Sequence, residues 1–268
     1  MDELAFDSIE LTERPRKPRD RGITYARDRG LGIKSIVDAF EASADYIDIL
    51  KLAAFAPRLQ TRKLIAEKVA VCKDFNVGIG LGGPLLENAL LQGRETVKRF
   101  LDQVQGMGIQ YLEVCRSVVI LSLSDLCELV REVKARGIHP IAEVGVAYGI
   151  TAEEKVNLDL DRLLTTMKAC LEAGAWKVLL ESEGITESRH PNEYRFDVAS
   201  KIAAAIDINA VMLEADDPHV YTRYICDHGP HLNLFVDIAR ALPLEASRIG
   251  AWGKHPTFNR TATYSRGK

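Results

Sequence analysis

Short apolar runs alternate with longer amphipathic stretches along most of this chain. The short runs have the length and composition of buried parallel strands. They predict eight β-strands, at residues 23–27, 46–52, 77–81, 110–115, 139–144, 177–182, 210–215 and 232–236. Between them, apolar residues recur with helical spacing. This spacing predicts helices that include residues 61–75, 95–105, 122–136, 159–173 and 197–206.

Cap residues mark the ends of several predicted helices. Ser122 and Ser124 are candidate N-caps. Four glycines are expected as left-handed C-caps, at Gly106, Gly108, Gly137 and Gly174. Strand–helix units of this number and length predict an α/β protein with a parallel eight-stranded (β/α)8 TIM barrel. A doubly wound open sheet is the alternative, but the short connections favour the barrel. We expect an N-terminal arm at 1–21 and a single barrel domain at 22–268.

Charge and composition narrow the range of partners. The formal net charge is −3, with no long block of like charge, so no nucleic-acid partner is expected. The basic cluster at 14–21 is interpreted as part of a solvated arm. Five cysteines without a CxxC pair predict reduced thiols. No apolar stretch reaches the ~18–20 residues that span a bilayer, and no signal-peptide pattern is present. A cytoplasmic homo-oligomer without a membrane partner is expected.

Four of the apolar runs end on a glutamate, namely Glu113, Glu143, Glu181 and Glu214. In a barrel, the carboxyl ends of the strands meet at one mouth, so these side chains should converge. Carboxylates at close range repel one another and are costly to desolvate, and a hard cation such as Mg²⁺ relieves both problems. The pattern indicates a metal-assisted enzyme that acts on a small anionic substrate. A ring of structural salt bridges is the alternative.

Lys51 and two glycines are further candidates at strand ends. Lys51 could bind a substrate carboxylate or phosphate, form a Schiff base, or serve as a structural partner of Asp48 or a glutamate. Gly82 and Gly83 end the third strand, where the backbone could approach a ligand closely. They lack the Lys-Ser/Thr end of a P-loop, so a tight turn is an equal alternative.

In chain order, these residues resemble the phosphosulfolactate synthase family. The resemblance runs from about Arg16 to Phe258. The matching segments include Asp45-Tyr46-Ile47-Asp48 with Lys51, Gly82-Gly83, Leu112-Glu113-Val114, Ala142-Glu143-Val144-Gly145 and Leu213-Glu214-Ala215. The resemblance implies a carbon–sulfur lyase that adds sulfite to phosphoenolpyruvate with Mg²⁺. It implies catalytic roles for Lys51, Glu143 and Glu181, metal ligands among Glu113, Glu143, Glu181 and Glu214, and substrate contacts from Asp28, Gly82, Gly83 and Lys254.

Several positions depart from the family pattern. The family has a lysine, implicated as a proton donor, where this chain has Ala147. Its arginine after the sixth strand is replaced within 182–184, and Trp252 stands where another arginine is expected. These changes imply a divergent member with an altered substrate or reduced activity. The candidates for a replacement proton donor are Lys51, Lys155 and Lys254.

Two rival functions stay open at this point. The first is an aldolase that forms a Schiff base through Lys51. The second is a catalytically degenerate barrel with a binding or stress-related role, which the loss of the lysine at Ala147 favours. Retention of four strand-end glutamates favours an enzyme, because a purely structural barrel has no need for so much like charge.

Overall fold

Eight parallel strands close into a barrel in sequence order. The computed structural model describes residues 4–6, 8–145 and 158–251. The strands are β1 Thr24–Asp28, β2 Ile49–Leu52, β3 Gly78–Leu81, β4 Tyr111–Val114, β5 His139–Val144, β6 Lys177–Leu180, β7 Val211–Glu214 and β8 Asn233–Asp237. The pairing of β1 with β8 completes the ring. The predicted (β/α)8 barrel is therefore confirmed, and the open-sheet alternative is wrong.

Helices follow the strands and surround the barrel. They are α1 Ile33–Ser43, α2 Ala56–Leu59, α3 Arg62–Asp74, α4 Pro84–Leu91, α5 Arg94–Gly106, α6 Leu123–Ala135, α7 Leu160–Ala173, α8 Phe196–Ala205, α9 Pro218–His228 and α10 Ala241–Arg248. The five helices predicted from spacing agree with α3, α5, α6, α7 and α8 to within a residue at each end. Within the described parts of the chain, none of the helices has the length and hydropathy needed to span a membrane.

Five of the predicted strands were one to three residues too long, at 46–52, 77–81, 110–115, 177–182 and 210–215. The segment Ala44–Tyr46 forms a short 3-10 helix before β2, and Ile208–Ala210 does the same before β7. The strand β6 ends at Leu180, so Glu181 lies just beyond it. At the starts of β2 and β7, the physical reason is that an apolar residue of the preceding turn resembles, in sequence, the first residue of a strand.

The predicted helix ends are mostly correct. The Ser122 side chain accepts a hydrogen bond from the backbone N–H of Asp125 at 3.1 Å, as expected of an N-cap. Gly174 is a left-handed C-cap with φ 102°, and Gly137 also has a positive φ, of 74°. Gly106 was assigned wrongly, because it is the last residue of α5 and is not among the glycines with positive φ. The chain turns two residues later, at Gly108, where φ is 76°.

The barrel interior and the helix-facing layer are separate clusters. The interior is filled by Ile23, Tyr25, Ile49, Ile141, Leu179, Met212 and Phe235. Alternate side chains of a strand face opposite sides of the sheet. Lys51 and Glu143 each lie two residues beyond an interior residue, Ile49 and Ile141 respectively. Both therefore face the same interior, one layer nearer the carboxyl-terminal mouth.

The N-terminal arm packs on the opposite, amino-terminal end of the barrel. Arg14 forms an ion pair with Glu245, and Arg19 forms one with Asp48 at 3.0 Å. The side chains of Arg14 and Arg19 are only 5% and 6% exposed. The prediction of a solvated arm is therefore wrong for these two residues. Their guanidinium groups contact buried acids. The local charge of the sequence alone does not predict such contacts.

Candidate active site

A buried ammonium group lies among carboxylates at the mouth of the barrel. Nζ of Lys51 lies 2.7 Å from Oε1 of Glu113 and 3.8 Å from Oε2 of Glu143. All three residues are buried. Below them, Nζ of Lys51 is 4.2 Å from the centre of the Phe235 ring, a cation–π contact. Asp48, the other partner considered for Lys51, instead pairs with Arg19 at the opposite end.

Glu181 and Glu214 complete the set of four predicted glutamates. The backbone N–H of Glu181 continues the β5–β6 pairing by donating to Val144 at 3.0 Å. Its carboxyl group is hydrogen-bonded to that of Glu143. Glu214 accepts a hydrogen bond from Arg27 at 2.9 Å and one from the backbone N–H of Ser182 at 3.2 Å. The structure thus gathers all four glutamates at one mouth, and Arg27 partly neutralises Glu214.

Burial favours the protonated form of Glu113, Glu143 and Glu181. Burial, with repulsion from nearby carboxylates, raises the pKa of Glu113 to about 8 and that of Glu143 to about 8, while Lys51 opposes both shifts. Burial likewise raises the pKa of Glu181 to about 7. For Lys51, burial favours the neutral amine, but the surrounding carboxylates outweigh it and raise its pKa. Lys51 therefore stays an ammonium, and the acids cannot all ionise together.

The donor chemistry suits a hard divalent cation, although the cluster is not a ready-made cage. Oε1 of Glu113 is buried and contacts the ammonium group of Lys51 at 2.7 Å. Across residues 4–6, 8–145 and 158–251, no three acidic, histidine or cysteine side chains are arranged around a common metal position. Mg²⁺ commonly takes only one or two carboxylates, together with water and substrate oxygens. The adjacent carboxyl groups of Glu143 and Glu181 fit that mode, and the metal stays a prediction.

Asp28 ends β1 in a structural network. One carboxylate oxygen accepts hydrogen bonds from the backbone N–H groups of Gly30 at 2.7 Å and Leu31 at 2.6 Å. The other lies 2.5 Å from Nζ of Lys68, and both side chains of this pair are 1% exposed. Substrate contact by Asp28 stays a prediction. Sequence reasoning missed Lys68, whose one signal is its position on the apolar face of α3, three residues after Ile65.

Gly82 and Gly83 border the site at the end of β3. The backbone N–H of Gly83 donates to Oε2 of Glu113 at 3.2 Å and so helps to orient that carboxyl group. A Cβ atom on Gly83 would collide with the sulfur of Cys115, and one on Gly82 would lie 3.2 Å from the backbone nitrogen of Ala54. Close packing accounts for both glycines, so their contact with substrate stays a prediction. Lys254 lies outside the described residues.

A cavity of about 330 Å³ adjoins the carboxyl cluster. Glu143, Glu181 and Ser117 line one part of it, and the Ser117 hydroxyl donates to Oε1 of Glu143 at 3.4 Å. Arg116 and Arg162 line another part. Sequence analysis missed both arginines. Neither lies in a motif, and the sequence does not show which elements α7 packs against. A larger cavity, of about 670 Å³, is lined by residues of α3 and α5 and by none of the glutamates.

A parallel barrel with charged side chains buried at its carboxyl-terminal mouth has the architecture of the (β/α)8 barrel enzymes. The family model for (2R)-phospho-3-sulfolactate synthase (ComA) matches residues 12–254, and the chain belongs to that family. Phosphosulfolactate synthase of Methanothermobacter thermautotrophicus is 29% identical over 236 residues, covering 86% of this chain and 88% of that protein. The protein HEAT-STRESS-ASSOCIATED 32 of Arabidopsis thaliana is 24% identical over 265 residues, covering 91% and 92%.

Solved structures of more distant proteins share the fold. A putative phosphonomutase from Burkholderia cenocepacia has a TM-score of 0.57 at 12% identity, over 87% of this chain and 96% of that one. A 3-hexulose-6-phosphate synthase from Salmonella typhimurium has a TM-score of 0.53 at 10% identity, over 84% and 97%. At such identities the likeness concerns the barrel alone.

Proposed function

We propose that the protein is a phosphosulfolactate synthase-like lyase that adds sulfite to phosphoenolpyruvate with the help of Mg²⁺. Membership of the family and its synthase relatives support this proposal. The structural observation that carries it is the buried contact of Lys51 with Glu113 and Glu143 at the barrel mouth. A cytoplasmic location and a homo-oligomeric state stay predictions.

The reaction joins the sulfur of sulfite to C3 of phosphoenolpyruvate. The π electrons of the C2–C3 bond move towards C2 and the carboxylate, and a proton is then delivered to C2. A bound divalent cation would stabilise the negative charge that develops on the substrate carboxylate. Glu143 and Glu181 would hold that cation. The ammonium group of Lys51 adds positive charge to the same space and favours the charged transition state.

The source of the proton distinguishes this chain from its family. The position of the family's lysine is Ala147, which lies outside the described residues, as do Lys155 and Lys254. Lys51 is the candidate that lies within the described residues, and it is protonated. The carboxylates that raise its pKa also make it a weak acid. Protonation of C2 by Lys51 should therefore be slow, because general acids work best with a pKa near the operating pH.

A barrel with a stress-related, non-synthetic role is the second candidate function. It is favoured by the similarity to the Arabidopsis protein and by Ala147. The test is ³¹P NMR of phosphoenolpyruvate incubated with sulfite and Mg²⁺, using wild type, Glu143→Gln and the exposed control Glu67→Gln. Sulfite-dependent product from wild type and the control, with loss in Glu143→Gln, supports the synthase. No product from any of them supports the second candidate.

A further inference from the structure

The cavity beside the carboxyl cluster has walls of opposite charge. Glu143 and Glu181 form its acidic side, and Arg116 and Arg162 line it from the β4–α6 connection and from α7. A cavity of about 330 Å³ is at the lower end of the range for small-molecule sites. Because Glu143 and Glu181 line it, the cavity is continuous with the carboxyl cluster that is proposed to assist sulfite addition.

Arg116 is held against α7. Its guanidinium donates to the Thr166 hydroxyl at 3.2 Å and to the backbone carbonyl of Leu121 at 3.4 Å. Thr166 is buried, and its hydroxyl donates to the carbonyl of Arg162 one turn earlier, at 2.9 Å. Arg116 is therefore fixed by neutral groups next to the turn of helix that carries Arg162.

Neither arginine has an acidic partner in the described chain. Within residues 4–6, 8–145 and 158–251, no carboxylate lies within ion-pair distance of Arg116 or Arg162. Asp159 also lines the cavity, but its carboxylate caps α7 by accepting from the backbone N–H of Arg162 at 3.0 Å. The two guanidinium groups thus bring positive charge that the described residues leave uncompensated.

The opposite side of the mouth differs. There, Arg27 pairs with Glu214 and Asp216, and Arg29 pairs with Asp216. These positive charges are already matched by acids, which would also repel an incoming anion. An anionic group entering the mouth is therefore better accommodated on the side of Arg116 and Arg162.

We propose that Arg116 and Arg162 form a subsite for the phosphate group of the substrate, and this rests on the proposed function. A guanidinium group matches the geometry of phosphate oxygens and can donate two hydrogen bonds to them. With the phosphate held there, the rest of a small substrate extends along the cavity towards Glu143 and Glu181. Arg116 is partly buried and pre-positioned by Thr166, whereas Arg162 is exposed and reaches the cavity from the helix.

Calorimetric titration with phosphoenolpyruvate and with pyruvate tests the subsite. The proteins are wild type, Arg116→Gln, Arg162→Gln and the control Arg131→Gln, an exposed residue of α6. We expect each subsite variant to weaken phosphoenolpyruvate binding about tenfold or more, the loss of a charge-assisted hydrogen bond. Pyruvate, which lacks the phosphate, should bind the variants and wild type equally. Arg162 is exposed, so its replacement leaves the fold intact even if Arg116→Gln perturbs α7.

Equal phosphoenolpyruvate affinities in wild type and both variants would overturn the subsite, as would the absence of binding to wild type. Parallel loss of pyruvate affinity would also overturn it, since the effect would then not concern the phosphate. Arginine-dependent binding without any sulfite addition would sustain the subsite and reject the proposed function. Sulfite addition that is undiminished in the variants at low substrate concentration would reject the subsite alone.

Discussion

Oε1 of Glu113 lies 2.7 Å from Nζ of Lys51, although the two residues belong to the non-adjacent strands β4 and β2. The glycine-rich strand β3 lies between them and puts no bulky side chain in the way. Both groups are buried, so the ionised form of each depends on the other for compensation. Glu143, on β5, approaches the same ammonium group of Lys51.

Mg²⁺ should stabilise the folded protein. A cation that binds only the native state raises the melting temperature by mass action. We expect a concentration-dependent rise over millimolar Mg²⁺ in wild type and in Glu67→Gln, measured by differential scanning calorimetry. Glu143→Gln should reduce the rise, since it removes one of the two proposed ligands. If Mg²⁺ leaves the melting temperature of all three proteins unchanged, the result would favour the alternative in which the glutamates form structural salt bridges.

The stability of the free protein should fall as pH rises through the neutral range. The pKa values of Glu113 and Glu143 are about 8 in the folded state, against 4.5 for an ordinary glutamate. The folded state then binds more protons than the unfolded state between these values, so raising the pH lowers the free energy of unfolding. This contribution is complete below pH ~4.5 and is lost as pH passes about 8. Urea unfolding of Glu143→Gln should show a weaker pH dependence, and parallel profiles would refute the assignment.

Lys68 should be essential for stability rather than catalysis. It is paired with Asp28 in the interior, and removing one partner of a buried pair leaves an uncompensated charge. We expect Lys68→Met to lower the free energy of unfolding by about 3–5 kcal/mol. The control Lys63→Met, at an exposed position of the same helix, should change it by less than about 0.5 kcal/mol. Urea denaturation distinguishes them, and equal stabilities would show that the pair is dispensable.

Borohydride reduction in the presence of pyruvate should leave Lys51 unmodified. Attack on a carbonyl requires a neutral amine, and Lys51 is held as an ammonium by Glu113 and Glu143. Mass spectrometry of the digested protein gives the result directly. A reduced adduct on Lys51 would establish the aldolase alternative.

The barrel and the four glutamates at its mouth were predictable from sequence, because both follow from local patterns of apolar and polar residues. A short apolar run that ends in Glu143 is enough to place its carboxyl group at the mouth. The partners of these groups were not predictable in the same way. Lys51 could have paired with Asp48, and the distance between Arg116 and Arg162 along the chain conceals their common cavity. Which charge compensates which depends on helix packing, and local sequence patterns carry little information on it.

Production of phosphosulfolactate by wild type and by Ala147→Lys, with phosphoenolpyruvate, sulfite and Mg²⁺, is the most direct measurement. General acid catalysis contributes about 10²–10⁴-fold. We therefore predict slow, Mg²⁺-dependent synthesis by wild type, well below the ~10 s⁻¹ of a typical enzyme, and faster synthesis by Ala147→Lys. Turnover of wild type near that typical rate would show that the loss at Ala147 is inconsequential. No product from either protein would contradict the synthase account.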